Sequence, residues 1–351
     1  MMEIYRTDPI HDYRWEQFLR THPGASVFHT SAWLNALSST YGYEPVVFTT
    51  SAPTNPIRNG VLFCRVKSWL TGLRFVSVPF GDHCEPLFTA NEDRLLLTAF
   101  LPRLVEQEHC DYIEVRWPTP DAFGPTQYGL VRSAIFLHHL LDLRPPLPAL
   151  FDRLHKSCFQ RRIRRAENER LTYAEGMSDS LLRQFYSLLV LTRRRHGVPP
   201  QPMVWFRNLR DYFGEAIKIR VALKNGEPIA GILTLRYKDI LVYKYGCSDA
   251  AFHRYGVMPF LFWQTIQRAK EEGVAEFDLG RTDAYDSGLI AFKNRLGATT
   301  SSLIYYRYPA SSAARPAFSA FMQQRRVSAV SAHMPTMLLR AVANCLYRHV
   351  G

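Results

Sequence analysis

The stretch Glu276–Ala298 reads EFDLGRTDAYDSGLIAFKNRLGA. Glu276 to Leu279 has the character of a strand, and Gly280 ends it. Arg281, Asp283 and Asp286 follow in a polar loop. A short helix then carries Phe292, Lys293 and Arg295 and stops at Gly297. Polar residues beyond the C-terminal end of a strand are where α/β folds commonly build their sites. Acyl transfer to an amine needs a charge partner for the developing oxyanion and a group that takes the amine's proton. Lys293 suits the first role. Asp278 or Asp283 suits the second, or orients Lys293. Arg281 and Arg295 supply charge for an anionic substrate, and Lys293 and Arg295 are near enough on one helix to grip one anion together. A purely structural arrangement uses the same residues: Asp278 caps or pairs with Arg281, and Lys293 lies on the surface.

The chain before this stretch alternates helices and strands. Helical spacing runs over 147–170 and 179–195, followed by a loop and a short aromatic helix over 199–214. Strands are expected at 217–223, 228–236 and 240–246. The first two are joined by Lys224-Asn225-Gly226-Glu227, whose Asn-Gly pair accepts the positive φ angles of a tight hairpin. A helix over 257–272, the strand at 276–279, a helix over 289–296 and a strand at 301–308 complete this half. The N-terminal half offers strands at 46–50, 61–67, 74–79, 112–116 and 138–143, with a helix over 92–109 that should pack on them. The Pro-rich run 144–148 marks the boundary. The expected class is therefore α/β (α+β), with mixed, mostly antiparallel sheets flanked by helices. The expected domains are 1–146 and 147–310, followed by a basic tail over 311–351. No sequence repeat relates the two halves.

The bulk composition excludes several classes. With 47% apolar and 21% charged residues in 351, the chain has the balance of a folded globular protein. No run approaches the roughly 18 apolar residues of a membrane span. The start, MMEIYRTDPIHDYRWEQF, lacks the basic and apolar regions of a signal peptide, so a cytoplasmic location is expected. Six scattered cysteines without a C-x-x-C pair point to reduced thiols rather than disulfides or a zinc cluster. A net charge of +12 favours anionic partners: nucleic acid, phosphorylated or nucleotide-linked molecules, or an anionic membrane surface. The tail has five arginines and no acids, and 337–350 has the pattern of a basic amphipathic helix that packs on the domains or touches a membrane.

The run FDLGRTD…GLIAFKNRLGA resembles the signature of the Fem-type transferases and their BioF2-like acetyltransferase relatives, within the GNAT superfamily. The order of helices and strands over 150–300 is similar to that of a GNAT acyltransferase core. The runs PFGDHCEPL (79–87) and TRRRHG (192–197) resemble Fem-related proteins of exosortase/PEP-CTERM exopolysaccharide systems. The resemblance implies tandem GNAT-like domains with the acceptor between them, and Lys293 at the reaction centre with Phe292 beside it. It implies no bound cofactor, but a co-substrate that is either an acyl-CoA or an aminoacyl-tRNA. The acceptor would be an amine on a cell-envelope, peptidoglycan or exopolysaccharide precursor. The alternatives are an acetyl-CoA-dependent N-acetyltransferase of a small molecule or amino sugar, and a non-catalytic Fem-like binding or assembly factor. Convergence of Asp278, Arg281 and Lys293 on one place separates the catalytic readings from the last.

Four further places carry candidate ligand contacts. A GNAT phosphate loop needs backbone N–H groups at a helix start. Here the equivalent stretch is His253-Arg254-Tyr255-Gly256-Val257-Met258, with Arg254 and Gly256 as cofactor contacts. Met258 stands where a small residue is expected, and Pro259 removes one N–H donor. In the basic helix 155–170, Arg161, Arg164 and Arg165 share a face suited to phosphates, with Ile163 and Ala166 inward. His83, in Asp82-His83-Cys84-Glu85, belongs to a candidate substrate-contacting loop. Lys244 and Tyr245 lie on a central strand, where burying Lys244 requires an anion or an acid.

Overall fold

The computed structural model describes residues 3–89, 91–117, 129–309, 311 and 346–349, with 91–99 and 117 described as backbone only. The Pro-rich loop 118–125 and nearly all of the basic tail lie outside the described residues. The chain divides into two compact units, one made of the described residues of Met1–Phe136, Ser302–Phe321 and Asn344–Gly351, the other of Leu137–Ser301 and Met322–Ala343.

The first unit opens with β1 (Tyr5–Thr7), α1 (Tyr13–Thr21) and α2 (Ser31–Tyr41). Asp12 caps α1 by accepting the Arg14 N–H, and the helix buries Trp15, Phe18 and Leu19. Thr30 caps α2, which ends at Gly42 in the left-handed conformation. Then follow β2 (Glu44–Thr49), β3 (Val61–Ser68), β4 (Gly72–Val76), α3 (Asn91–Glu108), β5 (Tyr112–Trp117) and the start of β6 (Val131–Asp142), whose residues from Leu137 on belong to the second unit. The strands order as β1-β2-β3-β4-β5, continued by β12 (Thr299–Tyr308). Every pairing among them is antiparallel except the parallel β4–β5 pair. Phe48, Phe63, Phe75, Ile113 and Tyr306 fill the core of this unit. Within it Glu114 is buried between Arg116 and Arg307, 3.0 and 2.9 Å away. The paired guanidiniums keep its carboxyl below the usual range despite burial.

The second unit contains α4 (Leu147–Arg153), a π-turn (Lys156–Gln160), α5 (Arg161–Asn168), β7 (Thr172–Gly176), α6 (Asp179–Arg195) and α7 (Met203–Phe213). The antiparallel run β8 (Ile217–Lys224), β9 (Glu227–Tyr237) and β10 (Ile240–Ser248) comes next, then α8 (Val257–Glu271), β11 (Glu276–Asp283) and α9 (Ser287–Arg295). The expected single helix over 147–170 is in fact three pieces. Leu154 and His155 leave the helical region, and His155 recaps the chain by accepting the Cys158 N–H. The hairpin forms as expected, with Asn225 and Gly226 at φ 53° and 82°.

The sheet of this unit orders β11-β10-β9-β8-β7, antiparallel except for β10–β11. Successive side chains of β9 serve opposite faces. Ala230 and Ile232 join the cluster that contains Phe260, Phe262 and Ile266 of α8. On the other face Gly231 lies under Phe185 of α6, where an added Cβ would come within 2.9 Å of the ring. Helices thus cover both faces, which explains why β9 reads as a nearly continuous buried run.

Candidate active site

The site of the second unit is built where two parallel strands stop pairing. The β10–β11 ladder runs from Ile240↔Glu276 to Val242↔Asp278, and the described residues show no pairing of the two strands beyond it. Each strand departs from regular geometry at that point. On β10, Tyr243 pairs with Thr234 and Tyr245 with Leu233, leaving Lys244 as the extra residue of a bulge. On β11, Gly280 takes φ +71°, a conformation that favours glycine.

Three side chains fix this kink. Asp278, 3% exposed, accepts the Gly280 N–H at Oδ1 (2.7 Å). The same oxygen lies 2.8 Å from His138 Nε2, which β6 contributes. Lys293, also 3% exposed, reaches back from α9 and donates to the Gly280 and Arg281 carbonyls at 2.9 and 3.1 Å. The peptide segment at Gly280 is therefore gripped at its N–H by Asp278 and at its C=O by Lys293. An ammonium buried at this depth is costly unless it is well hydrogen-bonded, and the two carbonyls meet that need.

α9 is placed by its cap and its anchor. Asp286 accepts the Leu289 N–H at 2.9 Å, and Phe292 packs against Phe159 and Phe262 with centroids 5.0 and 5.3 Å apart. This turns Lys293 inward. Asp278 partners His138 and Gly280, and Lys293, a surface residue in the purely structural arrangement, is buried. Asp278 and Lys293 meet at the Gly280 peptide, and the Arg281 backbone carbonyl is the second acceptor of Lys293.

Other expected residues are placed elsewhere. Asp283 is exposed and accepts the Tyr285 N–H at 3.1 Å, shaping the loop. Arg295 is exposed, on a different side of α9 from Lys293, so the two do not grip one anion. The Lys244 ammonium lies 5.9 Å from the centre of the Tyr245 ring. Tyr245 is buried and accepts the Trp205 Nε1–H at 2.9 Å under α7. Arg161, Arg164 and Arg165 are exposed on α5, with Ile163 and Ala166 buried beneath, and Arg165 adds to the positive charge around Glu169. Arg254 covers the Tyr255 ring and donates to its hydroxyl at 2.7 Å. Gly256 takes φ +76° beside Arg162, where an added Cβ would come within 2.4 Å of the Arg162 carbonyl oxygen. With Phe260 N bonded to Gly256 O and Pro259 lacking an N–H, the start of α8 retains the Val257 and Met258 N–H groups for an anion.

His83 belongs to the first unit, half-buried and edge-on to Phe28 at 5.4 Å. Its loop follows two strained residues, Val78 and Phe80, at φ 51° and 59°. Arg116 holds that loop by donating to the Val78 and Gly81 carbonyls, both at 2.8 Å.

Two residues go beyond the expected set. His138 is the partner of Asp278. His139, fully buried, has its pKa lowered to about 4 by burial first, then by the neighbouring Lys293 and His138 charges. The signal was present as a His-His pair opening the expected strand 138–143, but nothing local tied it to Asp278, 140 positions on.

Comparison with known proteins bears on the fold and the domain. Residues 155–294 match the family described as acetyltransferase (GNAT) domain. No curated protein matches the chain in sequence. Among solved structures, FemX is similar at a TM-score of 0.68 and 12% identity, over 92% of this chain and 100% of that one. L-PGS from Bacillus licheniformis is similar at 0.53 and 16%, over 95% and 97%. A tandem GNAT protein from the clavulanic acid biosynthesis pathway is similar at 0.55 and 11%, over 88% and 98%. At such identities these likenesses speak to the fold. Among the described residues no helix is long and apolar enough to cross a membrane. The chain thus has a Fem-like GNAT fold and carries a GNAT acyltransferase domain over residues 155–294.

Proposed function

We propose that the chain moves an acyl or aminoacyl group from an activated, anionic donor onto a primary amine of a cell-envelope or exopolysaccharide precursor. The observation that carries this is the Gly280 clamp: a buried ammonium and a buried carboxylate, itself paired with the partly buried His138, meet where β10 and β11 part. In the reaction the amine nitrogen attacks the donor carbonyl carbon, and the C–N bond forms as the carbonyl oxygen becomes an oxyanion. Lys293 supplies positive charge to that oxyanion from a water-poor position, where the interaction is strongest. The Asp278–His138 pair takes the proton from the attacking nitrogen. The C–S bond of an acyl-CoA, or the C–O bond of an aminoacyl-tRNA, then breaks, and the proton passes to the leaving sulfur or oxygen.

Asp283 contributes by ordering the loop in front of α9. Phe292 holds the helix register. Arg281, Lys244 and the arginines at 161, 164 and 165 supply charge for anionic parts of the substrates. Arg254, Gly256 and the two N–H groups at the start of α8 suit a donor phosphate, although this cradle is smaller than a full glycine-rich one. The test is amine acylation by the purified chain, with labelled acyl-CoA and aminoacyl-tRNA as parallel donors and a nucleotide-linked amino sugar as acceptor. Transfer from one donor that is lost in Lys293→Ala is expected. Transfer that persists unchanged in Lys293→Ala overturns the assignment.

A further inference from the structure

α9 presents two cations to two different places. Lys293 is buried against β11, whereas Arg295, two positions on, is exposed and lines a separate surface pocket of about 310 Å³. Arg153, His155, Ala291 and Asn294 complete its lining.

The donor set is one-sided. Arg153 and Arg295 have no carboxylate partner among the described residues, and no carboxylate lines the pocket. The His155 Nδ1 accepts the Cys158 N–H at 3.3 Å, so in the neutral ring the proton sits on Nε2, which makes that atom a donor. Asn294 Oδ1 accepts from Thr300 Oγ1 at 2.9 Å, which commits the oxygen end of the amide to Thr300. Two guanidiniums, an imidazole N–H and an amide thus line one small space.

The frame that holds them is fixed. The His155 N–H donates to the Arg295 carbonyl at 2.9 Å, tying the end of α4 to the end of α9. Gln160 Nε2 donates to the Phe151 and Leu154 carbonyls, both at 3.0 Å, and so closes the last turn of α4. Two like charges held near each other without an acid repel, and a bound anion removes that repulsion.

We propose that this pocket is an anion site for the diphosphate group of one of the two substrates. A carboxylate has two oxygens and one charge, enough for a single guanidinium fork. A diphosphate has the oxygens and charge for both arginines together with the histidine and asparagine donors. The pocket, about 310 Å³, is a shallow depression open to solvent, so it takes a head group rather than enclosing a whole ligand. The assignment to a substrate rests on the transferase reading; the binding of diphosphate does not.

The probe is inorganic pyrophosphate, titrated calorimetrically into the full chain. Binding should weaken by about tenfold or more for each guanidinium removed, in Arg153→Ala and Arg295→Ala, and should persist in Lys293→Ala. Arg295→Lys, which keeps the charge and loses the fork, should fall between. Both arginines are exposed, so unchanged melting curves are expected and show that the variants are folded. Pyrophosphate binding that ignores both arginines overturns the site. In the transfer assay, a raised KM for the donor or for the acceptor in Arg295→Ala identifies which molecule carries the group. If neither KM moves while pyrophosphate binding falls, the assignment to a substrate is overturned. Loss of transfer in Lys293→Ala with pyrophosphate binding intact separates a failure of this site from a failure of the catalytic reading.

Discussion

Lys293 Nζ donates to the Gly280 carbonyl at 2.9 Å, while the Gly280 N–H donates to Asp278 at 2.7 Å. One kinked glycine therefore sets the distance between the ammonium and the carboxylate. Replacing Lys293 by Met keeps the aliphatic stem and removes the charge. The Gly280 and Arg281 carbonyls then lose their shared donor, and we expect a stability loss on the order of 1–3 kcal/mol. The kcat should fall by about 10²–10³, as when one oxyanion donor is removed, with KM much less affected. Steady-state kinetics alongside denaturant unfolding checks both. A variant that loses stability but keeps kcat would make Lys293 a structural clamp alone.

Asp278 orients His138, and its substitution by Asn should show this in a pH profile. Asn keeps an oxygen that can accept the Gly280 N–H, so the kink survives. It removes the charge behind His138 while the same oxygen still faces Nε2, so a protonated His138 loses its carboxylate partner. We expect kcat to drop by roughly 10²–10⁴ and the acidic limb of the kcat profile to shift or vanish. A merely structural Asp278 would leave the limb where it was.

Much of this was legible in the sequence because it is local. The hairpin at Asn225-Gly226 and the helix–strand–helix run from α8 to α9 announce themselves by turn chemistry and periodicity. The break of 147–170 into α4, a π-turn and α5 was not legible. The apolar spacing continues across Leu154, and the interruption shows in the His155 N–H donating to the Arg295 carbonyl and the His155 ring accepting the Cys158 N–H. The inward turn of Lys293 was equally hidden, since its two acceptors are carbonyls and a carbonyl belongs to every residue alike. The His138–Asp278 pair is a contact between distant strands, which no single-sequence pattern encodes.

Gly256 and Gly273 form a matched pair that separates strain from collision. Both hold positive φ, +76° and +73°, so Ala at either place carries a similar backbone penalty of roughly 1–2 kcal/mol. An added Cβ at Gly273 meets nothing within 4 Å, whereas at Gly256 it comes within 2.4 Å of the Arg162 carbonyl. Gly256→Ala should therefore be the more damaging by about 1–3 kcal/mol, because α5 must move away from the start of α8. Thermal unfolding of the two variants side by side measures the difference. Equal losses would show that α5 is not packed on this turn.

His139 gives the fold a defined response to acid. Burial, with Lys293 and His138 nearby, lowers its pKa to about 4, against about 6.5 for a free histidine. Between those values the unfolded chain binds a proton that the folded chain refuses. Stability therefore rises with pH across the window and is lost as the pH falls from about 6.5 towards 4. The full contribution of one such group is about 3 kcal/mol. His29, fully buried in the first unit and also lowered to about 4, has the same sign, so the whole chain should weaken steeply in this range. Carboxylates titrate nearby, so the informative quantity is the difference between the parent chain and His139→Gln. Gln cannot take the proton, and its unfolding free energy should be flatter between pH 6.5 and 4.5. An identical slope in the two proteins would mean that His139 already carries a proton in the folded state. Its ring would then add a second positive charge beside Lys293 instead of a neutral wall.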